Sequence, residues 1–170
     1  MRLPASCVPE PKRGMTAETF RPETPSQREA LEAILSGESV WLWGPPGVGK
    51  THLAAAACLA TDASCLVTIP DLMADLRSEA RRGDDDDIVS MCRTYSLLAL
   101  DDIDLYNPTP DIMGQFYRII DTRYNSKLRT IVTSNAAPSI VAGTIGARLH
   151  SRLVGMCRVV HIEGKDGRLA

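Results

Sequence analysis

The sequence predicts an α/β fold, a parallel β-sheet with helices on both faces, and three observations carry that prediction. Short, continuous apolar runs recur along the chain with helix-patterned stretches between them. The first run leads directly into a glycine-rich loop and then an alanine-rich helix, and a later run ends in two adjacent aspartates. Strands buried on both faces read as unbroken apolar runs, and parallel neighbours need a crossover helix between them.

The elements follow in order. Five of the 11 prolines fall within the first 25 residues, together with Lys12, Arg13 and Gly14. That composition resists both helix and sheet, so residues 1–25 read as an irregular N-terminal arm and 26–170 as one domain. Ser26 followed three residues on by Glu29 fits a capping box, with Ala30, Leu31, Ile34 and Leu35 as the apolar face of a first helix that ends at Gly37. Five strands are expected at VWLW (40–43), CLVTI (65–69), LLAL (97–100), TIVTS (130–134) and CRVVHI (157–162). Helices are expected from Lys50, from Asp71, over 110–125 and over 146–154. No internal repeat is visible.

Composition narrows the classes of function. At 170 residues the chain is long enough for one α/β domain with a sizeable core, and 44% hydrophobic against 24% charged residues matches a soluble globular protein. The longest apolar run, 53–60, is far short of a membrane span, and the proline-interrupted start has no apolar signal region, so a cytoplasmic location is expected. Five cysteines without a C-x-x-C pair read as reduced thiols, mostly in the core. Residues 1–117 hold 10 Lys and Arg against 18 Asp and Glu, whereas 118–170 hold 9 against 3. An asymmetry of that kind suits a basic face for nucleic acid or an acidic partner, or only local solvation.

Four constellations carry chemistry. GPPGVGKT at 44–51 matches G-x-x-x-x-G-K-[ST] between an apolar strand and a helix, where backbone N–H groups and the helix N-terminus converge on phosphate oxygens. Gly44, Pro45, Pro46, Gly47, Val48, Gly49, Lys50, Thr51 and His52 are therefore the expected nucleotide-binding run, with Lys50 reaching the terminal phosphates and Thr51 a ligand for Mg²⁺. LLALDD delivers Asp101 and Asp102 at a strand end, the first for the Mg²⁺ shell and the second to orient or deprotonate the attacking water. Asp102 has one methylene fewer than the glutamate often found in that role. Asn135, at the end of TIVTSN, places an uncharged amide at a neighbouring strand tip. In GARLHSRLVG (146–155), Arg148 and Arg152 share a helical face that Leu149 and Leu153 do not, and an arginine projecting from one subunit can serve a neighbour's site.

Taken in this order, with the closing GKDGR, these motifs resemble the AAA+ ATPases, and within them the helicase-loader group typified by the DnaC and DnaI proteins and their phage relatives. The resemblance covers residues 20–168 and implies a three-layer P-loop NTPase core with a five-stranded parallel sheet and no C-terminal lid domain. It implies Lys50 and Thr51 as Walker A residues, Asp101 and Asp102 as Walker B, Asn135 as sensor 1, Arg152 as an arginine finger acting in trans with Arg148 its companion, and Arg168 as a nucleotide contact. ATP and Mg²⁺ are the implied cofactors, and a replicative DNA helicase and single-stranded DNA the implied partners of a homo-oligomer. In that group the helix after the second strand approaches DNA, which points to Arg77, Arg81 and Arg82; Asp84, Asp85, Asp86 and Asp87 read instead as a solvated loop.

Other readings stay open at this stage. The ATPase subunit of insertion-sequence transposition uses a similar core. A nucleotide-gated module that does not hydrolyse fits Asp102 in place of Glu, and a small-molecule P-loop kinase would show an arginine-rich lid insertion, which the sequence lacks.

Overall fold

A computed structural model describes residues 6–82, 87–104 and 109–167. Its elements are β1 (Ser6–Cys7), a 3₁₀ turn (Glu10–Lys12), α1 (Pro25–Leu35), β2 (Val40–Trp43), α2 (Lys50–Leu59), β3 (Ser64–Thr68), α3 (Ile69–Arg82), α4 (Asp87–Thr94), β4 (Leu97–Asp101), α5 (Pro110–Asn125), β5 (Arg129–Ser134), α6 (Pro138–Ile145), α7 (Ala147–Met156) and β6 (Arg158–His161). The strands form one sheet in the order β1-β3-β4-β5-β2-β6. Every pairing in it is parallel.

The five expected strands are present, and the sheet gains a sixth from the arm. Cys7 pairs with Cys65 in register, so the arm is less irregular than its prolines suggest. Its short strand and the buried Val8 and Phe20 tie it to the core. The first helix starts earlier than expected. Thr24, not Ser26, is the cap: its side chain accepts from Gln27 N–H, the Gln27 side chain accepts from Thr24 N–H, and Pro25 takes the first helical position, where no N–H is needed. Likewise α3 begins at Ile69, because Thr68 Oγ1 accepts from Asp71 N–H at 3.2 Å and donates to its carboxylate at 2.6 Å. Of the expected aspartate loop, Asp84, Asp85 and Asp86 lie outside the described residues, and Asp87 opens α4.

Alternating side chains on each strand divide the core in two. Val40, Leu42, Leu97, Ala99 and Ile131 face one cluster with α1 and α2, through Ala30, Ala33, Ile34 and Leu53. Trp41, Leu98, Leu100 and Val132 face the other, with Leu72 and Leu76 of α3, Phe116 and Ile120 of α5, and Leu149 and Leu153 of α7. Side chains of this kind contribute roughly 1.5–3 kcal/mol each when fully buried. The three-layer stack therefore fixes the carboxyl ends of β3, β4, β5 and β2 side by side, and ligands of open parallel sheets bind beyond such ends. Among the described residues no helix is long and apolar enough to cross a membrane.

Candidate functional site

The loop after β2 turns into α2 through Gly49, whose φ of 99° a residue with a side chain rarely adopts. A Cβ there would also lie 2.5 Å from the ring of Phe20. Gly49 caps α2 without a side chain, so the first-turn N–H groups of the helix remain available to an anion. Lys50, buried beside them, donates to the carbonyls of Gly44 and Pro45 at 2.8 Å each and to Asn135 Oδ1 at 3.1 Å. The ammonium and the strand-end amide therefore meet directly across the tips of β2 and β5.

Asp101 ends β4 with its side chain only 3% exposed. Its Oδ1 accepts from Thr133 Oγ1 at 2.6 Å and from Thr51 Oγ1 at 2.9 Å, and its Oδ2 accepts from Thr51 at 3.1 Å and from Lys12 Nζ at 3.1 Å. Thr51 and Asp101, the two residues expected at Mg²⁺, thus touch. The donor set fits a hard divalent cation: a hydroxyl and a carboxylate of oxygen donors, with a positive group already drawn to the carboxylate.

Asp102 follows in the left-handed region with φ of 60°, its N–H donating to Thr133 Oγ1 at 2.9 Å. Burial, and then the charges of Asp101 and Asp104, hold its carboxyl above the usual aspartate range, with Lys50 and Lys12 opposing that rise. Asp104 is tied to the next strand tip, where its Oδ2 accepts from the N–H groups of Asn135 at 2.9 Å and Ala136 at 3.0 Å. Asp104 thereby braces the tip of β5.

These groups open on a cavity of about 640 Å³, which Asp102, Asn135 and the 46–52 run line together with Met15, Thr19, Phe20, Arg21, Glu23, Gln27, Lys165 and Gly167. Gln27 donates to the Val48 carbonyl at 3.1 Å, and His52 Nε2 lies 2.9 Å from the Thr16 carbonyl and 3.2 Å from Thr19 Oγ1. The arm therefore forms one wall of the cleft, which sequence reading did not foresee. The only available signal was Phe20, an aromatic in an otherwise polar segment. On the far side Gly167 N–H donates to the Gly47 carbonyl at 3.1 Å; Arg168, expected at the nucleotide, lies outside the described residues.

The remaining expected residues sit apart from the cavity. Arg148 stacks 4.7 Å over the Tyr117 ring and Arg152 4.5 Å over Tyr124, with Arg152 Nε 3.1 Å from Asp121 Oδ1, so both arginines of α7 lie against α5 and neither lines the cleft of its own chain. Arg148 is thus not brought to the nucleotide run. On α3, Arg77 is half-buried beside the Leu72, Met73 and Leu76 stripe and Arg81, one turn on, is exposed; nothing is described of the Arg82 side chain.

The chain has relatives among known proteins. The model of the family described as IstB-like ATP binding protein matches residues 23–170. The chain is 27% identical over 136 residues to the chromosomal replication initiator protein DnaA of Aliarcobacter butzleri (strain RM4018), covering 77% of this chain and 31% of that protein. It is 31% identical over 110 residues to an ATP-binding protein of insertion sequence IS232 from Bacillus thuringiensis subsp. berliner, covering 62% of this chain and 44% of the other. The chain thus spans under half the length of these relatives. Among solved structures it is similar to the DnaC helicase loader, with a TM-score of 0.81 at 24% identity over 91% of this chain and 100% of that one. It is also similar to AMPPCP-bound DnaA from Aquifex aeolicus, with a TM-score of 0.79 at 25% identity over 88% of this chain and 50% of that one. The fold is the AAA+ core.

Proposed function

The chain belongs to the IstB-like ATP-binding protein family, and on that premise we propose that it is a Mg²⁺-dependent ATPase of the cytoplasm that loads or remodels a replicative DNA helicase on single-stranded DNA. The observation that carries the reading is the convergence of Lys50, Thr51, Asp101, Asp102 and Asn135 at adjoining strand tips beside an uncapped helix N-terminus. Lys50 exchanges its loop carbonyls for phosphate oxygens when nucleotide enters. Asp102, its carboxyl held above the usual aspartate range by burial and its acidic neighbours, accepts a proton from the attacking water, and the Asn135 amide orients that water. Bound Mg²⁺, held by Thr51 and Asp101, supplies charge neutralisation on the phosphate oxygens. Arg77, Arg81 and Arg82 on α3 meet the phosphate backbone of DNA, and Arg168 contacts nucleotide.

A second reading is favoured by the insertion-sequence relative and by the family itself: the same ATPase acting on target DNA in transposition. One pair of measurements tests both levels. Lys50→Ala is expected to lose at least tenfold in ATP affinity by calorimetry, and wild-type binding by that variant would remove the site assignment. Co-purification from the host then separates the two clients, a replicative helicase supporting the first reading and a transposase the second.

A further inference from the structure

The arm places a cation where the site needs one. Lys12 Nζ lies 3.1 Å from Asp101 Oδ2, with the lysine side chain 20% exposed and the carboxylate 3% exposed. The pair joins residues 89 apart in sequence, so chain proximity does not explain it. Asp101 is also the carboxylate that Thr51 Oγ1 touches on both oxygens. A buried carboxylate demands a positive partner, and the arm supplies one.

How the arm is held decides what this contact can do. Val8 and Phe20 are both buried, whereas every residue from Pro9 to Thr19 is exposed or half-exposed. Val8 follows the two-residue strand β1, and Phe20 packs edge-on against His52 with ring centroids 5.2 Å apart. Between these anchors the 3₁₀ turn rests on local bonds alone, from Lys12 N–H to the Pro9 carbonyl at 2.9 Å and from Arg13 N–H to the Glu10 carbonyl at 3.1 Å. The turn itself buries no residue, so it can lift while Met15 stays packed on the core and Thr16 and Thr19 stay bonded to His52, and Lys12 is the only link from it to the strand-end carboxylates among the hydrogen bonds and ion pairs described.

We propose that Lys12 is a tethered cation that holds the magnesium position at Asp101, so that binding of Mg²⁺ with nucleotide displaces the 3₁₀ turn and converts occupancy of the site into release of the arm. The proposal rests on the reading of the cleft as a Mg²⁺–ATP site. An ammonium and a divalent cation repel one another at a single carboxylate oxygen, and whichever binds more strongly expels the other. By linkage, a lysine that is expelled by the metal must also weaken the metal. Arm and metal therefore weaken each other by the same factor.

The test uses the full chain with AMPPCP, in EDTA and in Mg²⁺, and reads binding by calorimetry and the amides of residues 12, 13 and 15 by hydrogen exchange. Wild-type protein is expected to bind AMPPCP in both, with exchange at these amides accelerated only when Mg²⁺ is present. Lys12→Gln is expected to raise the affinity of the AMPPCP complex for Mg²⁺ by about 3- to 10-fold, the scale of a partly exposed ion pair, while Lys12→Arg retains the wild-type response. Unchanged amide exchange on adding Mg²⁺, or an Mg²⁺ affinity that is unaltered or weaker in Lys12→Gln, overturns the proposal and leaves the nucleotide site standing. Failure of AMPPCP to bind wild-type protein in either buffer overturns the nucleotide reading and the proposal with it.

Discussion

Asp102 shows how much chemistry a single residue's surroundings impose. It sits in the left-handed region, where aspartate is tolerated better than most side chains, and its backbone is pinned by Thr133. Half-burial next to Asp101 and Asp104 lifts its pKa above 3.8, so the folded chain holds a proton there that the unfolded chain releases. Stability from this group is therefore fully present below 3.8 and is lost as pH rises through the folded value. Asp102→Asn, which cannot ionise, is expected to be more stable than wild type at pH 7, with the advantage shrinking as pH is lowered toward 3.8. Urea midpoints along that pH series check the sign. The same variant should bind ATP and lose turnover, because the amide accepts no proton from water; equal stability at every pH, or retained turnover, would remove Asp102 from the base role.

At the scale of elements, what was legible in sequence is what local pattern encodes. The runs at 40–43, 97–101, 129–134 and 158–161 are strands because an apolar run flanked by turns has few other stable fates. The helices α4 and α6 escaped reading: the first follows a run of aspartates, and the second, PSIVAGTI, is short and β-branched, so neither shows a long helical period. The arm escaped for a different reason. Its order comes from Val8, Phe20 and Lys12 meeting partners far along the chain, and no local spacing reports such contacts. Arg123 is a further case, given no role by the sequence analysis and found fully buried. Its guanidinium donates to the carbonyls of Cys92 at 2.9 Å and Tyr95 at 2.8 Å and to Thr130 Oγ1 at 3.0 Å, joining the end of α4 to β5. Burial pushes its pKa down to about 10, which still leaves it charged at neutral pH. Truncation strands these acceptors, so Arg123→Ala is expected to cost on the order of 3 kcal/mol, and Arg123→Lys, which cannot reproduce the planar fork, to recover only part. Chemical denaturation measures both, and a change under about 0.5 kcal/mol would show that water replaces the guanidinium freely.

At the scale of the whole molecule, the position of Arg152 bears on whether one chain can complete a site. Its guanidinium rests on α5, against Asp121 and Tyr124, and is not among the groups lining the cleft of its own chain. The ion pair with Asp121 is partly exposed, so leaving it costs little, and an arginine on an outward helix can be donated to another copy. If a neighbour's phosphates receive it there, the gain in rate is on the order of 10³- to 10⁵-fold, as for arginine fingers in other phosphoryl-transfer enzymes. Arg152→Ala is then expected to bind ATP as wild type does and to hydrolyse it poorly. The stricter measurement mixes Arg152→Ala with Lys50→Ala, each inactive alone. Where the Lys50→Ala chain presents its intact Arg152 to the intact loop of the other, a working site is rebuilt, so activity should return on mixing and grow with total protein concentration. A mixture that stays inactive while the two variants demonstrably co-assemble, or a wild-type rate per chain that does not fall on dilution to the monomer, would leave Arg152 as a surface residue that braces α7 on α5.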